Sequence, residues 1–179
     1  MVKLIAQDAK KPVTTIGGMQ VLPHHSIDDF DETQTTPTLD ILIIPGGFGS
    51  RQVRQNPRVM DFVRRQANKV KILASVCTGA LILAESGVLE KGSKITTHWQ
   101  ALDLLQEWYP DIQVQRGVSV VKLDPTASRP FVFTSAGISA GIDMSFWIIR
   151  DIFGEVIARA TAKQMEYSYP ENFSRRVDL

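Results

Sequence analysis

The run Lys71-Ile72-Leu73-Ala74-Ser75-Val76-Cys77-Thr78-Gly79-Ala80-Leu81-Ile82-Leu83-Ala84 constrains the fold more than any other stretch of the chain. An apolar segment of strand length stops at a cysteine, small residues follow, and apolar positions at helical spacing resume. The pattern is a strand-to-helix corner. In open α/β folds such a corner stands at the carboxyl edge of the sheet, where ligands bind. The helix that follows points its partially positive amino terminus back toward the Cys77 sulfur, and the thiolate is the nucleophilic form of that side chain. Gly79 lets the backbone turn sharply, as a nucleophile elbow requires. Cys77 is the only cysteine in the chain, and a lone cysteine also has a plain reading as a small buried hydrophobe. Its place at the corner favours the nucleophile.

The flanking segments extend the same alternation. Val2 to Gln7 reads as a short strand, and Gly17-Gly18 marks a hairpin between Val13–Ile16 and Met19–Leu22. His24 through Thr38 is polar and reads as a surface connection. Leu39 to Ile44 is an apolar run of the kind found in central parallel strands. A helix starts near Asn56 with Pro57 in its first turn. Lys94 to Thr97 forms a strand, and a helix from Trp99 to Trp108 ends before Pro110. Strands follow at Ile112–Val114, Val118–Leu123 and Phe131–Thr134, then helices at Ile138–Phe153 and Glu155–Tyr167. Strands alternating with helices predict an α/β class with a mostly parallel sheet and helices on both faces. A chain of 179 residues fits one domain over 1–179 with a full core.

Charge and cysteine usage narrow the function. Lys and Arg number 20 against 19 Asp and Glu, so the chain has no electrostatic footprint for nucleic acid or for an anionic membrane. One cysteine makes no disulfide framework, Met1–Ile5 is too short for a signal-peptide core, and no apolar run reaches membrane-spanning length. These features predict a soluble cytoplasmic protein. His24 and His25 are adjacent in a polar segment and make no metal site.

Pro45-Gly46-Gly47-Phe48-Gly49 follows a strand and reaches the same sheet edge as Cys77. It lacks nucleotide-loop spacing and its lysine. Alone it is a glycine turn; beside Cys77 its backbone at Gly46 and Gly47 is a candidate oxyanion hole. The Thr78 N–H lies at the helix start, and its hydroxyl either reaches a substrate atom or caps the helix. His98 is either a pocket residue beside the thiolate or a capping residue, and Thr96 and Thr97 are helix caps. Ser135 and Gly137 belong to a small-residue stretch after a strand, which lets a helix approach the edge closely. Asp143 caps, pairs or lines the pocket, with the structural role preferred. Trp99, Trp108 and Trp147 read as packing.

Four stretches, in order, resemble the ThiJ/PfpI superfamily, the Parkinson-associated deglycase-like group with a class I glutamine-amidotransferase-like fold. They are Ile43–Gly49, Ala74–Ala80, Thr96–Trp99 and Thr134–Asp143. Cys77-Thr78-Gly79 together with Thr96-Thr97-His98-Trp99 most resembles the isonitrile hydratase branch. The resemblance implies a flavodoxin-like three-layer α/β/α sandwich, a homodimer, Cys77 at the nucleophile elbow, and Gly47 and Thr78 backbone donors near its sulfur. Thr78 stands where members called proteases or glyoxalases carry His, which argues against those activities. The chain leaves no room for the helix-turn-helix domain of the regulator branch. It also begins at the family's second strand, without the unit that supplies an inner strand and an acidic residue near the cysteine; neither Glu85 nor Asp143 substitutes by motif. Such a gap exposes a strand edge and apolar sheet surface, favouring association.

The implied activity is cofactor-free hydration of an isocyanide, a small-molecule electrophile, with Cys77 and Thr78 catalytic. The rival is a non-catalytic or redox-sensing dimeric module with an oxidisable Cys77.

Overall fold

The computed structural model of the chain describes residues 1–30 and 38–173. The chain opens with β1 (Ile5–Ala6), β2 (Val13–Thr14), β3 (Gln20–Val21) and β4 (His25–Ser26). β2 and β3 pair antiparallel with Val13 opposite Val21. Gly18 sits at φ +82° in their turn, as the Gly17-Gly18 signal predicts. β1 is shorter than the predicted strand and, among the described residues, pairs in parallel with β4 alone.

The segment from His24 is not a plain surface connection. Ile27–Phe30 is a 3-10 turn, and such a turn places positions i and i+3 on one side. Ile27 and Phe30 enter the core beside Leu42, Ile44 and Phe62. Asp29 accepts from the Ser26 amide and hydroxyl. Its acidic neighbours masked the apolar pair in the sequence. The rest of that predicted connection, 31–37, lies outside the described residues.

Next come β5 (Ile41–Ile44), α1 (Ser50–Val53), α2 (Pro57–Ala67), β6 (Ile72–Val76) and α3 (Gly79–Glu85). Asn56 caps α2 by accepting the Arg58 amide at 3.0 Å, with Pro57 in its first turn. Then follow β7 (Lys94–Ile95), α4 (Leu102–Trp108), β8 (Gln113–Val114), β9 (Val120–Leu123), β10 (Phe131–Ser135), α5 (Ala140–Phe153) and α6 (Glu155–Gln164). A 3-10 turn over Trp99–Ala101 precedes α4. β7 and β8 pair with each other, apart from the main sheet.

The main sheet has the order β5-β6-β10-β9, parallel except for β9. Alternation along the strands divides its side chains between two cores. Leu42, Ile44 and Leu73 meet Met60, Phe62 and Val63 of α2 and Ile82 and Leu83 of α3. Ile72, Ala74 and Phe133 meet Met144 and Ile148 of α5. Helices therefore cover both faces, and the fold is the flavodoxin-like three-layer α/β/α sandwich. Among the described residues no strand pairs with the outer edge of β5, and Ile43 in its middle is 47% exposed. Among the described residues no helix is long and apolar enough to cross a membrane.

Candidate active site

β6 ends at Val76, and Cys77 turns the chain with φ +57°. A left-handed conformation costs a residue with a Cβ on the order of 1–3 kcal/mol, so the surroundings must impose it. They do so from both sides. The Cys77 amide donates to the Ser135 and Ala136 carbonyls at 3.1 and 3.2 Å. The Cys77 carbonyl accepts from the Thr97 hydroxyl at 2.8 Å. Two glycines make room for the crossing. A Cβ on Gly46 would lie 2.7 Å from the Val76 carbonyl oxygen and 2.8 Å from the Thr78 nitrogen, and one on Gly79 would collide with the Ile44 carbonyl. The β5 loop and the cysteine corner thus touch backbone to backbone, and the Cys77 side chain is only partly buried.

Thr78 does not cap α3 with its side chain. Its hydroxyl donates to the Gly47 carbonyl and accepts from the Gly47 amide, both at 2.9 Å. The Gly47 carbonyl also accepts from the Ser50 hydroxyl at 2.7 Å and the Ser50 amide at 3.1 Å. The Gly47 N–H, expected as a donor near the sulfur, is occupied by Thr78 in this state. Among the described residues the Thr78 amide has no protein acceptor, so it is a backbone donor open at the corner.

His98 follows Thr97 directly in the chain. Its Nδ1 accepts the Gln100 amide at 3.3 Å, the capping reading, and its ring lies against Gly137, where a Cβ would approach to 2.9 Å. The Ser135 hydroxyl is buried and faces the Ser75 carbonyl at 3.5 Å, while its own carbonyl serves Cys77. Ser135 therefore supports the corner, while His98 and Gly137 pack against each other. Asp143 is buried and accepts from the Tyr167 hydroxyl at 2.9 Å, tying α5 to the chain after α6. Thr97 is the residue whose role sequence reasoning missed: a second polar residue at a strand end looks like a cap until the neighbouring carbonyl is located. Among the described residues no group of three or more His, Cys, Asp or Glu side chains is arranged to hold a metal.

A model of the DJ-1/PfpI family matches residues 1–151. The chain belongs to the DJ-1/PfpI family. Isonitrile hydratase from Pseudomonas putida is 34% identical to this DJ-1/PfpI chain over 157 residues, 88% of this chain and 62% of that protein. The HTH-type transcriptional regulator GbdR from Pseudomonas aeruginosa (strain UCBPP-PA14) is 28% identical over 155 residues, 87% of this chain and 38% of the regulator. The chain thus spans less than two thirds of the length of either relative. Among solved structures, a THiJ/PfpI family protein from Pseudomonas syringae superposes with a TM-score of 0.76 at 26% identity, over 96% of this chain and 65% of that one. Drosophila melanogaster DJ-1beta shares the fold, with a TM-score of 0.68 at 20% identity over 89% of this chain and 78% of that one.

Proposed function

We propose that this DJ-1/PfpI chain is a cofactor-free, isonitrile hydratase-like enzyme with Cys77 as its nucleophile. The observation that carries the reading is the left-handed Cys77 backbone, held at the corner with the Thr78 N–H beside it. The Cys77 thiolate adds to the terminal carbon of an isocyanide, and a proton delivered to that carbon gives a thioimidate, R–N=CH–S–Cys77. Water then adds to the same carbon. Collapse of the tetrahedral adduct breaks the C–S bond, protonates nitrogen, and releases an N-substituted formamide and the free thiolate. The Thr78 amide stabilises charge as it develops, while the Thr78 hydroxyl fixes Gly47 and the loop. The loop residues Pro45 to Gly49 are exposed, and in this proposal the proton comes from solvent water that reaches the corner.

Support from relatives is the 34% identity to the Pseudomonas putida hydratase. The test is incubation with cyclohexyl isocyanide while N-cyclohexylformamide is followed. Product from the native chain and none from Cys77→Ser is expected; equal product from both sinks the proposal. Stoichiometric oxygen addition at Cys77 under mild peroxide, with no turnover, would instead favour the redox-sensing module. The open β5 edge supports self-association as a homodimer, which sedimentation velocity reads directly.

A further inference from the structure

The far ends of three site-bearing segments converge on one charged cluster. Loop 45–49 runs straight into α1, and Arg54 follows that single turn. Thr78 leads into α3, and Glu85 is its last residue. Thr97 and His98 lead through a 3-10 turn into α4, with Trp108 and Tyr109 at its end. Arg54 donates to Glu85 Oε2 at 2.6 Å, and the Tyr109 hydroxyl donates to the same oxygen at 2.5 Å. The Arg54 guanidinium also lies 3.9 Å over the Trp108 ring, where a cation is attracted to the aromatic face.

These contacts close two circuits that share α3. The first runs from Gly47 through α1 to Arg54, across to Glu85, back along α3 to Thr78, and across the Thr78 hydroxyl to Gly47. The second runs from Cys77 along α3 to Glu85, across to Tyr109, back through α4 to Thr97, and across the Thr97 hydroxyl to the Cys77 carbonyl. Each circuit is closed at the site by a threonine hydroxyl and at the other end by one carboxylate oxygen. The Tyr109 hydroxyl bond holds the Glu85 carboxyl below the usual range; burial opposes this, and Arg54 adds to the lowering. Among the described residues Arg54 Nε is buried without an acceptor. An arginine kept there at that cost, rather than an apolar side chain, is placed for where it ties the chain.

We propose that Arg54, acting through Glu85 and Tyr109, is a positioning residue that sets the seat of loop 45–49 and α3 against Cys77. The proposal rests on the reading of Cys77 as the reactive group, but its first readout does not. Hydrogen exchange followed by mass spectrometry on Arg54→Met should show segment 45–53 exchanging at least about fivefold faster than in the native chain, with β10 (131–135) unchanged. Alkylation of Cys77 by iodoacetamide at neutral pH should slow by about threefold or more, and Arg54→Lys, which keeps the charge, should recover part of both effects. Tyr109→Phe removes a single hydrogen bond and gives the same comparison should Arg54→Met not fold. Exchange that rises equally in β10 marks a global loss of stability and overturns the proposal. So does unchanged exchange at 45–53, or alkylation as fast as in the native chain. Neither readout needs turnover, so a native chain that makes no formamide overturns the proposed hydratase activity and leaves this inference standing.

Discussion

The Cys77 corner and the outer edge of β5 belong to neighbouring strands, and they use their polar groups in opposite ways. At the corner, the cysteine amide and carbonyl are both engaged by residues remote in sequence, from Ser135, Ala136 and Thr97. The Gly47 carbonyl collects three donors. At the β5 edge no strand among the described residues pairs with the outer side, and an isoleucine faces solvent. A backbone bonded in three directions has one position available to it. An open edge leaves its geometry to whatever it meets. The difference places a closely held backbone beside the sulfur and an open edge one strand away.

The sharpest way to break that contrast is Gly79→Val, because a Cβ at this position collides with the Ile44 carbonyl and leaves the loop nowhere to go. A loss of at least about 4 kcal/mol is expected, read as a collapse of the cooperative melt. Thr97→Val keeps the shape of the side chain and removes the donor to the Cys77 carbonyl. Stability should fall by about 1–3 kcal/mol in chemical denaturation, and cysteine alkylation should slow with it. A variant as stable as the native chain would show that solvent replaces that bond.

Acid probes the corner from its far end. Glu85 is held below its ordinary range by the Tyr109 hydroxyl, against burial and with help from Arg54. A lowered carboxyl stabilises the fold above its unfolded value of about 4.3, and that contribution disappears as pH falls through the folded value. The melting temperature of the native chain should therefore drop more steeply between about pH 5 and 3 than that of Glu85→Gln; parallel curves would remove Glu85 from the account. The smallest effect belongs to the edge. Ile43→Lys should change stability by no more than about 0.5 kcal/mol while reducing self-association in sedimentation velocity, since a charge on an edge strand discourages pairing. A large loss of stability would mean that the edge is covered.

Much of this was legible in the residues. The apolar runs ending at Pro45 and Cys77 placed two strands and their loops on one edge, and Gly79 marked the corner, because backbone crowding leaves a direct trace in glycine positions. The hydroxyl partners were not legible. Thr78 and Thr97 carry the signature of helix caps, and only the three-dimensional path reveals that each reaches across to the backbone just beyond another strand's end. The core role of Ile27 and Phe30 was hidden for a related reason: a 3-10 turn spaces its apolar residues by three among acidic neighbours, too short a stretch for a periodic signal. Arg54, Glu85 and Tyr109 lie 31 and 24 residues apart, and no local pattern joins them.

The left-handed backbone at Cys77 has a consequence for how such a chain diverges. Glycine is the residue this conformation suits best. Drift toward a sturdier fold therefore passes through loss of the sulfur, and a Cys77→Gly chain should be harder to unfold than Cys77→Ala. On the proposed reading of Cys77 the corner trades durability for reactivity, so a copy freed from selection for chemistry would be expected to shed its cysteine before it loses the fold.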